Sequence, residues 1–379
     1  MKRKYDIILF GATGFTGSLV AQYLDEHIDK EGLSWAIAGR NREKLEAIRQ
    51  TLHTNPELML AESNNKPSLD KMTSSCTILM NTAGPFNRNG KSVVESCLQN
   101  RTHYLDITGE PSFVSETYNT FFDVALQNQV CIVNCCGFDS IPADISAYLT
   151  ASHLPVEEPK LLQLFIRTNA GISGGTITTA IQALHMESQK TSHKTHLPKH
   201  PDAPRPKLYL HYNKEMNGWA IPIPVVDHHI VRRSAMRMPE IYGYAFGFGE
   251  YFLRSNFYKA FKMIITAMSV MSLVRFKPIR DRLYKKFPPG TGPDAERRAT
   301  SRFEVTCIGR SKTKEARTII SGMDPGYDET AKMFSQAAFS MMNMLLGSNP
   351  KYGVLTPAEA FGDILVRRLQ KEGISITTT

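Results

Sequence analysis

Ile7-Ile8-Leu9-Phe10-Gly11-Ala12-Thr13-Gly14-Phe15-Thr16-Gly17 is the stretch that decides the fold. Its four apolar residues read as a buried strand and the amphipathic run Ser18 to Asp29 as a helix, so the three glycines fall in the turn between them. Glycines let the backbone bend sharply there and approach a pyrophosphate, while the unpaired amides and positive dipole end of the following helix favour its charge. The third glycine lets helix and strand pack tightly. The residues offered to a dinucleotide are Gly11, Thr13, Gly14, Phe15, Thr16 and Gly17. The spacing is G-x-x-G-x-x-G rather than G-x-G-x-x-G, so a glycine-rich turn of another α/β protein stays open until the rest of the chain is read.

Gly32 reads as a helix stop and Trp35-Ala36-Ile37-Ala38 as a second buried strand, ending in Gly39-Arg40-Asn41-Arg42. An acidic side chain at this strand end would bind the ribose 2′-hydroxyl of NAD. Arg40, with Arg42 and Lys44 behind it, suits a 2′-phosphate, so the expected cofactor is NADP; a solvated basic loop is the plain alternative. Leu45, Ile48 and Leu52 mark a helix face, and Leu58 to Ala61 and Cys76 to Met80 the third and fourth strands. Glu62 fits either the adenine side or the surface. The small-residue turn Asn81-Thr82-Ala83-Gly84-Pro85-Phe86 sits where ligands of open α/β sheets collect, which assigns Thr82, Ala83, Gly84 and Pro85 to the nicotinamide half. A helix from Lys91 to Gln99, a strand His103 to Ile107, a helix carrying Val114, Tyr118, Phe121 and Ala125, and a strand Val130 to Cys136 complete the pattern. Six strands alternating with helices describe an α/β fold with a Rossmann-type, doubly wound parallel sheet.

A chain of 379 residues is long enough for two cores, and 42% apolar with 21% charged residues is the composition of an ordinary soluble globular protein. Six cysteines without a C-x-x-C pair read as buried free thiols of a reducing, cytoplasmic setting rather than a disulfide or zinc framework. Met1-Lys2-Arg3-Lys4 imitates a signal peptide, but Asp6 and the glycine turn interrupt it, so no export signal is expected. Of the net charge of +9, most sits between Arg254 and Lys286, where nine Lys or Arg face only Asp281. That run has no nucleic-acid-binding motif and adjoins apolar residues, which argues against a nucleic-acid partner.

Beyond the sixth strand the pattern changes. Leu161 to Arg167, Leu208 to Tyr212, Val225 to Arg232, Arg302 to Ile308 and Arg317 to Ser321 read as strands of a second, α+β domain. Gly171 to Thr176 reads as the opening of a helix to Met186, either a plain cap or a set of amides for a substrate oxygen, and 191–207 as an exposed loop. The irregular spacing of His193, His196 and His200 fits solvated side chains, and no metal is expected. Phe257 to Val274 carries only Lys259 and Lys262 as charges, and its charge-free part, Met263 to Val274, is too short to span a bilayer. It reads first as a core helix or the wall of an apolar substrate site, and second as a segment resting peripherally on an anionic membrane.

The glycine turn, Ala38-Gly39-Arg40, Asn81 to Phe86, Tyr104-Leu105-Asp106-Ile107-Thr108-Gly109-Glu110, Cys136 to Pro142, Gly322 to Met333 and Gly353 to Ala358 together resemble the saccharopine dehydrogenase-like oxidoreductases, and within them the trans-acting enoyl reductases of mycobacterial lipid synthesis. The resemblance implies a Rossmann NAD(P)-binding domain at 1–140, a second domain at 141–326, and C-terminal helices, 327–379, that return to the first. It implies NADP-dependent reduction of a hydrophobic acyl or lipid-type substrate by hydride transfer to a conjugated double bond. A saccharopine-type amino-acid dehydrogenase and a non-catalytic, membrane-associated NADP-binding scaffold are the alternatives. By position, Asp106, Glu110, Asp139, Ser140 and Tyr104 lie at the carboxyl ends of strands five and six; Asp139, Tyr104 and Asp106 are the catalytic candidates, with a turn cap the structural alternative for Asp139.

Overall fold

β1 (Tyr5–Phe10) is buried along nearly its whole length, as a central strand of a parallel sheet covered on both faces must be. The structure is a computed structural model that describes residues 3–170, 200–223, 226–273 and 293–379, with residues 276, 278, 279 and 282. The chain divides into two compact units, one running up to Ile141 and resuming over Tyr327–Glu372, the other comprising Pro142–Gly326 and Gly373–Thr379.

In the first unit, β2 (Trp35–Gly39), β3 (Glu57–Leu60), β4 (Cys76–Asn81), β5 (His103–Asp106), β6 (Cys131–Val133) and β13 (Gly353–Leu355) join β1 in one sheet. Its order is β13-β6-β5-β4-β1-β2-β3, and every neighbouring pair is parallel. This is the doubly wound arrangement expected of the sequence, with the order reversing between β1 and β4. The crossovers are α1 (Phe15–Glu31), α2 (Arg42–Arg49), α3 (Lys66–Thr73), α4 (Phe86–Gln99) and α5 (Pro111–Gln127). Gly32 ends α1 in the left-handed region, at φ 66°. Asn41 and Asn65 cap α2 and α3 by accepting from the amides of Lys44 and Ser68.

β13 extends the sheet beyond the six strands read from the sequence. Its three residues carry too little pattern to announce a strand, and Gly353 enters it at φ +110°. Two C-terminal helices flank it in sequence, Asp328–Leu346 and Pro357–Lys371, the latter broken at Gly362. A polar clamp ties them to α1: Gln336 donates to the Tyr23 hydroxyl at 3.0 Å, Tyr23 donates to Glu372 at 2.9 Å, and Arg368 donates to Gln336 at 2.7 Å.

The second unit holds a mixed sheet of β7 (Lys160–Thr168), β8 (His211–Asn213), β9 (Gly218–Pro222), β10 (Phe246–Arg254), β11 (Phe303–Arg310), β12 (Glu315–Gly322) and β14 (Ser375–Thr378), in the order β14-β12-β11-β7-β10-β9-β8. Only β7 and β10 run parallel. The tail departs from the expected assignment of all of 327–379 to the first domain: β14 pairs with β12, with Ile376 opposite Ile320. The expected strand Val225 to Arg232 is instead a helix, Val226–Arg237. Val226, Ile230 and Ser234 are buried four residues apart, a helical period that outweighs the β-branched composition. Of Leu208 to Tyr212, only the last two residues enter β8; Leu208 and Tyr209 are exposed. The expected helix from Gly171 to Met186 and most of the 191–207 loop, with His193 and His196, lie outside the described residues.

Candidate functional site

The glycine turn is shaped by what would collide in it. A methyl group on Gly17 would stand 2.2 Å from the Gly11 carbonyl oxygen, and one on Gly11 would stand 2.7 Å from Thr82 Oγ1 and 2.8 Å from the Ala83 nitrogen. Gly11 itself sits at φ +91°. Thr82 closes the crossing from the β4 side, its amide and hydroxyl donating to the Phe10 carbonyl at 2.8 and 3.0 Å. Gly14 is exposed, and a methyl group there would meet only the Gly11 oxygen, at 3.3 Å. It occupies the N-cap position of α1, and no side chain caps that helix end. An exposed, side-chain-free helix start at the sheet's switch point is the arrangement that receives a pyrophosphate, so the residues present fit a dinucleotide.

Gly39 ends β2 close to Thr13, and Arg40, Arg42 and Lys44 follow it as an exposed basic group. The Phe15 ring packs edge-on against Tyr327, with centroids 4.6 Å apart, so its side chain serves the docking of the C-terminal segment. Thr16 is half-buried on the first turn of α1. Ala83 donates its amide to Asn81 Oδ1 at 2.9 Å, Gly84 is exposed, and the Gly84-Pro85 peptide is cis. Thr82, Ala83, Gly84 and Pro85 thus lie across the switch point from the glycine turn. A hollow of about 370 Å³ lined by Lys4, Tyr5, Asp29, Trp35 and Glu57 opens at the other end of these strands and has no part in this site.

The catalytic candidates separate sharply. Tyr104 and Asp106 have no exposed surface, so neither reaches a substrate, and both are corrected from catalytic groups to buried ones. Asp106 accepts from the Thr108 and Cys135 amides at 3.0 Å each and from Asn134 Nδ2 at 2.7 Å. Burial pushes its carboxyl from 3.8 up to about 6, against the pull of these donors. Glu110 is buried too, and its carboxylate accepts from the Phe86 and Asn87 amides at 2.8 and 2.9 Å, capping the start of α4. Ser140 is buried. Asp139 is the one exposed member, and it makes no hydrogen bond among the described residues. The turn it was read as capping is closed by backbone, from Ser140 and Ile141 to the Gly137 carbonyl. Its carboxyl oxygen lies 3.0 Å from where a Gly109 side chain would begin, and desolvation raises its pKa.

Asn134, only 2% exposed, carries no local signal that would have singled it out. The available hint is positional: Asn81, Asp106 and Asn134 stand at or just past the ends of three adjacent strands. In the second unit, His228 and His229 are on a helix; His228 packs against Phe248, and burial, then Arg233 and Arg232, lower the His229 pKa.

Residues 7–133 match the family model of the saccharopine dehydrogenase NADP binding domain. Over its whole length the chain is 29% identical to a Mycobacterium tuberculosis protein named as a trans-acting enoyl reductase, across 98% of that protein. It is 28% identical to a saccharopine dehydrogenase-like oxidoreductase of Pongo abelii, covering 99% of this chain and 97% of that one. A lipid droplet localized protein of Caenorhabditis elegans is 27% identical over 95% of this chain and 94% of its own length. Among solved structures, apo saccharopine dehydrogenase (L-Glu forming) of Saccharomyces cerevisiae shares the fold, at TM-score 0.55, 11% identity and 99% coverage of both chains.

Replacing Arg40 by alanine is expected to weaken NADPH binding about tenfold or more and leave NADH binding nearly unchanged, as measured by fluorescence titration of both cofactors. Equal loss for both would detach Arg40 from the 2′-phosphate. A second expectation concerns acid. Because the folded protein holds the Asp106 proton more tightly than the unfolded chain, this residue's contribution to stability is full below about pH 3.8 and is lost as pH rises through about 6. The stability advantage of the wild type over Asp106→Asn, followed by denaturant unfolding from pH 4.5 to 7.5, should therefore shrink as pH rises; a widening gap contradicts it.

Proposed function

We propose that this chain, an NADP-dependent oxidoreductase whose residues 7–133 match the saccharopine dehydrogenase NADP binding domain, reduces a hydrophobic, acyl-type substrate that it meets at a lipid surface. The observation that carries this reading is the helix Phe257–Leu273 of the second unit. Phe257, Tyr258, Phe261, Ile265 and Met268, which recur at helical spacing along it, are 47 to 72% exposed. Of the side chains described on it only Ala260 is buried, and the helix is anchored near its start by Phe257 against Trp219, with ring centroids 4.9 Å apart.

Of the first sequence expectation, a core helix or the wall of an apolar substrate site, the core-helix half does not hold for these side chains. Burying one of them is worth about 1.5 to 3 kcal/mol, so five left in water represent a sizeable unused driving force. Lys259 and Lys262 are exposed on the same helix, and the sequence continues into the basic run ending at Lys286. Apolar and basic groups side by side suit the boundary of an anionic lipid layer, each cation adding about 1 kcal/mol near the surface. No helix among the described residues is long and apolar enough to cross a membrane, so the contact proposed is peripheral. The names of the mycobacterial and nematode relatives point the same way.

In this reading NADPH, when bound, supplies the hydride. The chain would hold its pyrophosphate at Gly11 to Gly17 and its 2′-phosphate at Arg40 and Arg42, and the turns after β4 and β6 would frame the nicotinamide end. Reduction of a conjugated double bond also requires a proton. Asp139, the exposed carboxyl whose pKa is raised, is the group proposed to hold it.

NADPH oxidation followed by absorbance with trans-2-enoyl thioesters of increasing chain length should show kcat/KM rising with length, and Asp139→Asn should lower kcat about a hundredfold or more. Turnover of saccharopine with no turnover of any enoyl thioester would reject the acyl reading. Separately, the protein should float with vesicles of anionic phospholipid, and the double variant Phe261→Glu, Ile265→Glu should not. A wild-type chain that stays at the bottom of the gradient removes the lipid surface from the proposal.

A further inference from the structure

We propose that Asn81, Tyr104, Asp106 and Asn134 form a positioning network that holds the loops after β4 and β6 in the shape that receives the nicotinamide end of NADP, none of the four touching cofactor or substrate. The inference rests on the NADP site described above.

Strand register brings the four together. Phe10 pairs with Asn81 and Asn81 with Asp106, while Tyr104 pairs with Ile132, two residues before Asn134. All four side chains are between 0 and 2% exposed. Asn81 Nδ2 donates to the Tyr104 hydroxyl at 3.0 Å, and the charge of the neighbouring Asp106 carboxylate, after burial, raises the pKa of that hydroxyl. Asn134 Nδ2 donates to Asp106 Oδ2 at 2.7 Å. The four therefore stand in one row across the C-terminal edge of β4, β5 and β6, as two hydrogen-bonded pairs, Asn81 with Tyr104 and Asn134 with Asp106.

Asn81 and Asp106 each carry the network on to loop backbone, while Asn134 Oδ1 is buried without a hydrogen-bond partner among the described residues. Asn81 Oδ1 fixes the Ala83 amide at 2.9 Å, and Asp106 Oδ1 fixes the amides of Thr108 and Cys135 at 3.0 Å. Cys135 is held at φ +61°, a region a non-glycine residue enters at a cost of about 1 kcal/mol or more. The Asp106 carbonyl binds the next amide, that of Cys136, at 2.7 Å. An ionised carboxylate and two amides inside a sheet gain little stability over apolar residues of the same volume. What they add is direction: each loop amide is held at one angle. The same domain offers a contrast at the opposite end of the strands. There Thr73 Oγ1 bonds Ser96 Oγ at 2.8 Å between α3 and α4, equally buried, with no cofactor loop attached.

The test compares these two sites by NADPH fluorescence titration and thermal unfolding. Tyr104→Phe removes one hydroxyl and keeps the ring; it should bind NADPH about fivefold more weakly, the loss of roughly one hydrogen bond, with a smaller blue shift of the bound cofactor's emission. Asn134→Ala should change both in the same direction, and stands in should Tyr104→Phe not fold. Thr73→Val, a matching loss of a buried hydroxyl, should bind as the wild type does even if its melting temperature falls equally. Wild-type affinity and emission in Tyr104→Phe and Asn134→Ala would overturn the inference, as would an equal loss in Thr73→Val. Failure of the wild type itself to bind NADPH would remove the cofactor site first and the network's role with it, a result distinct from either.

Discussion

The first domain depends on how closely the end of β1 approaches the loop after β4. Gly11 lies against Thr82 and Ala83, and Gly17 lies against the Gly11 carbonyl, at separations that admit a hydrogen but no carbon. These two strands are neighbours at the point where the strand order reverses, so the loops leaving them diverge and an opening forms between. Any side chain at Gly11 or Gly17 would push α1 away from the sheet. The exposed helix start at Gly14 would then no longer lie beside the turn that Thr82 closes. The ends proposed to receive the phosphates and the nicotinamide are thus set by one steric condition.

A second constraint acts one strand further along. Glu110 and Asp106 are both carboxylates wholly inside the protein, and both are committed to backbone amides of the loops on either side. Placing a charge there weakens the fold as pH rises through the Asp106 titration, so stability alone does not account for the residue. Geometric definition of the loops does. The exposed Asp139 makes no hydrogen bond among the described residues, which is compatible with the proton-holding role proposed for it.

Much of the first domain was legible because its signals are local. The strand-turn-helix of Ile7 to Asp29, the basic turn at Arg40 and the alternation of apolar runs with helical faces each lie within a few residues, and each stands where it was read. What escaped was non-local or too short. β13 has three residues, and its partner β6 lies more than two hundred positions earlier. The helix Val226–Arg237 was hidden by its valines and isoleucine, which favour strands in composition while their spacing was helical. Tyr104 and Asp106 were recognised as polar groups at a strand end, but alternation along a strand does not say whether such an end is open to solvent. Only the packing of β4 and β6 on either side decides that, and it turns both residues from candidates for chemistry into supports for it.

The helix Phe257–Leu273 reverses the usual relation between sequence and burial. Its apolar residues recur at the spacing of a core helix, yet that stripe faces outward and the small Ala260 faces in. A helix whose large apolar side chains were selected for packing against its own domain would present them to β9 and β10, where Phe257 alone makes a ring contact, with Trp219. Their outward direction is what the proposed contact with an apolar medium outside the protein would use. Lys259 and Lys262 narrow which medium that is, since a protein partner with an apolar groove has no general need of adjacent cations, whereas the headgroup layer of an anionic lipid surface satisfies both kinds of side chain at the depths a helix of this length presents. The same surface is where a substrate too apolar to dissolve would be found, so the position of the helix and the chemistry proposed for the nicotinamide end make one demand on the substrate rather than two.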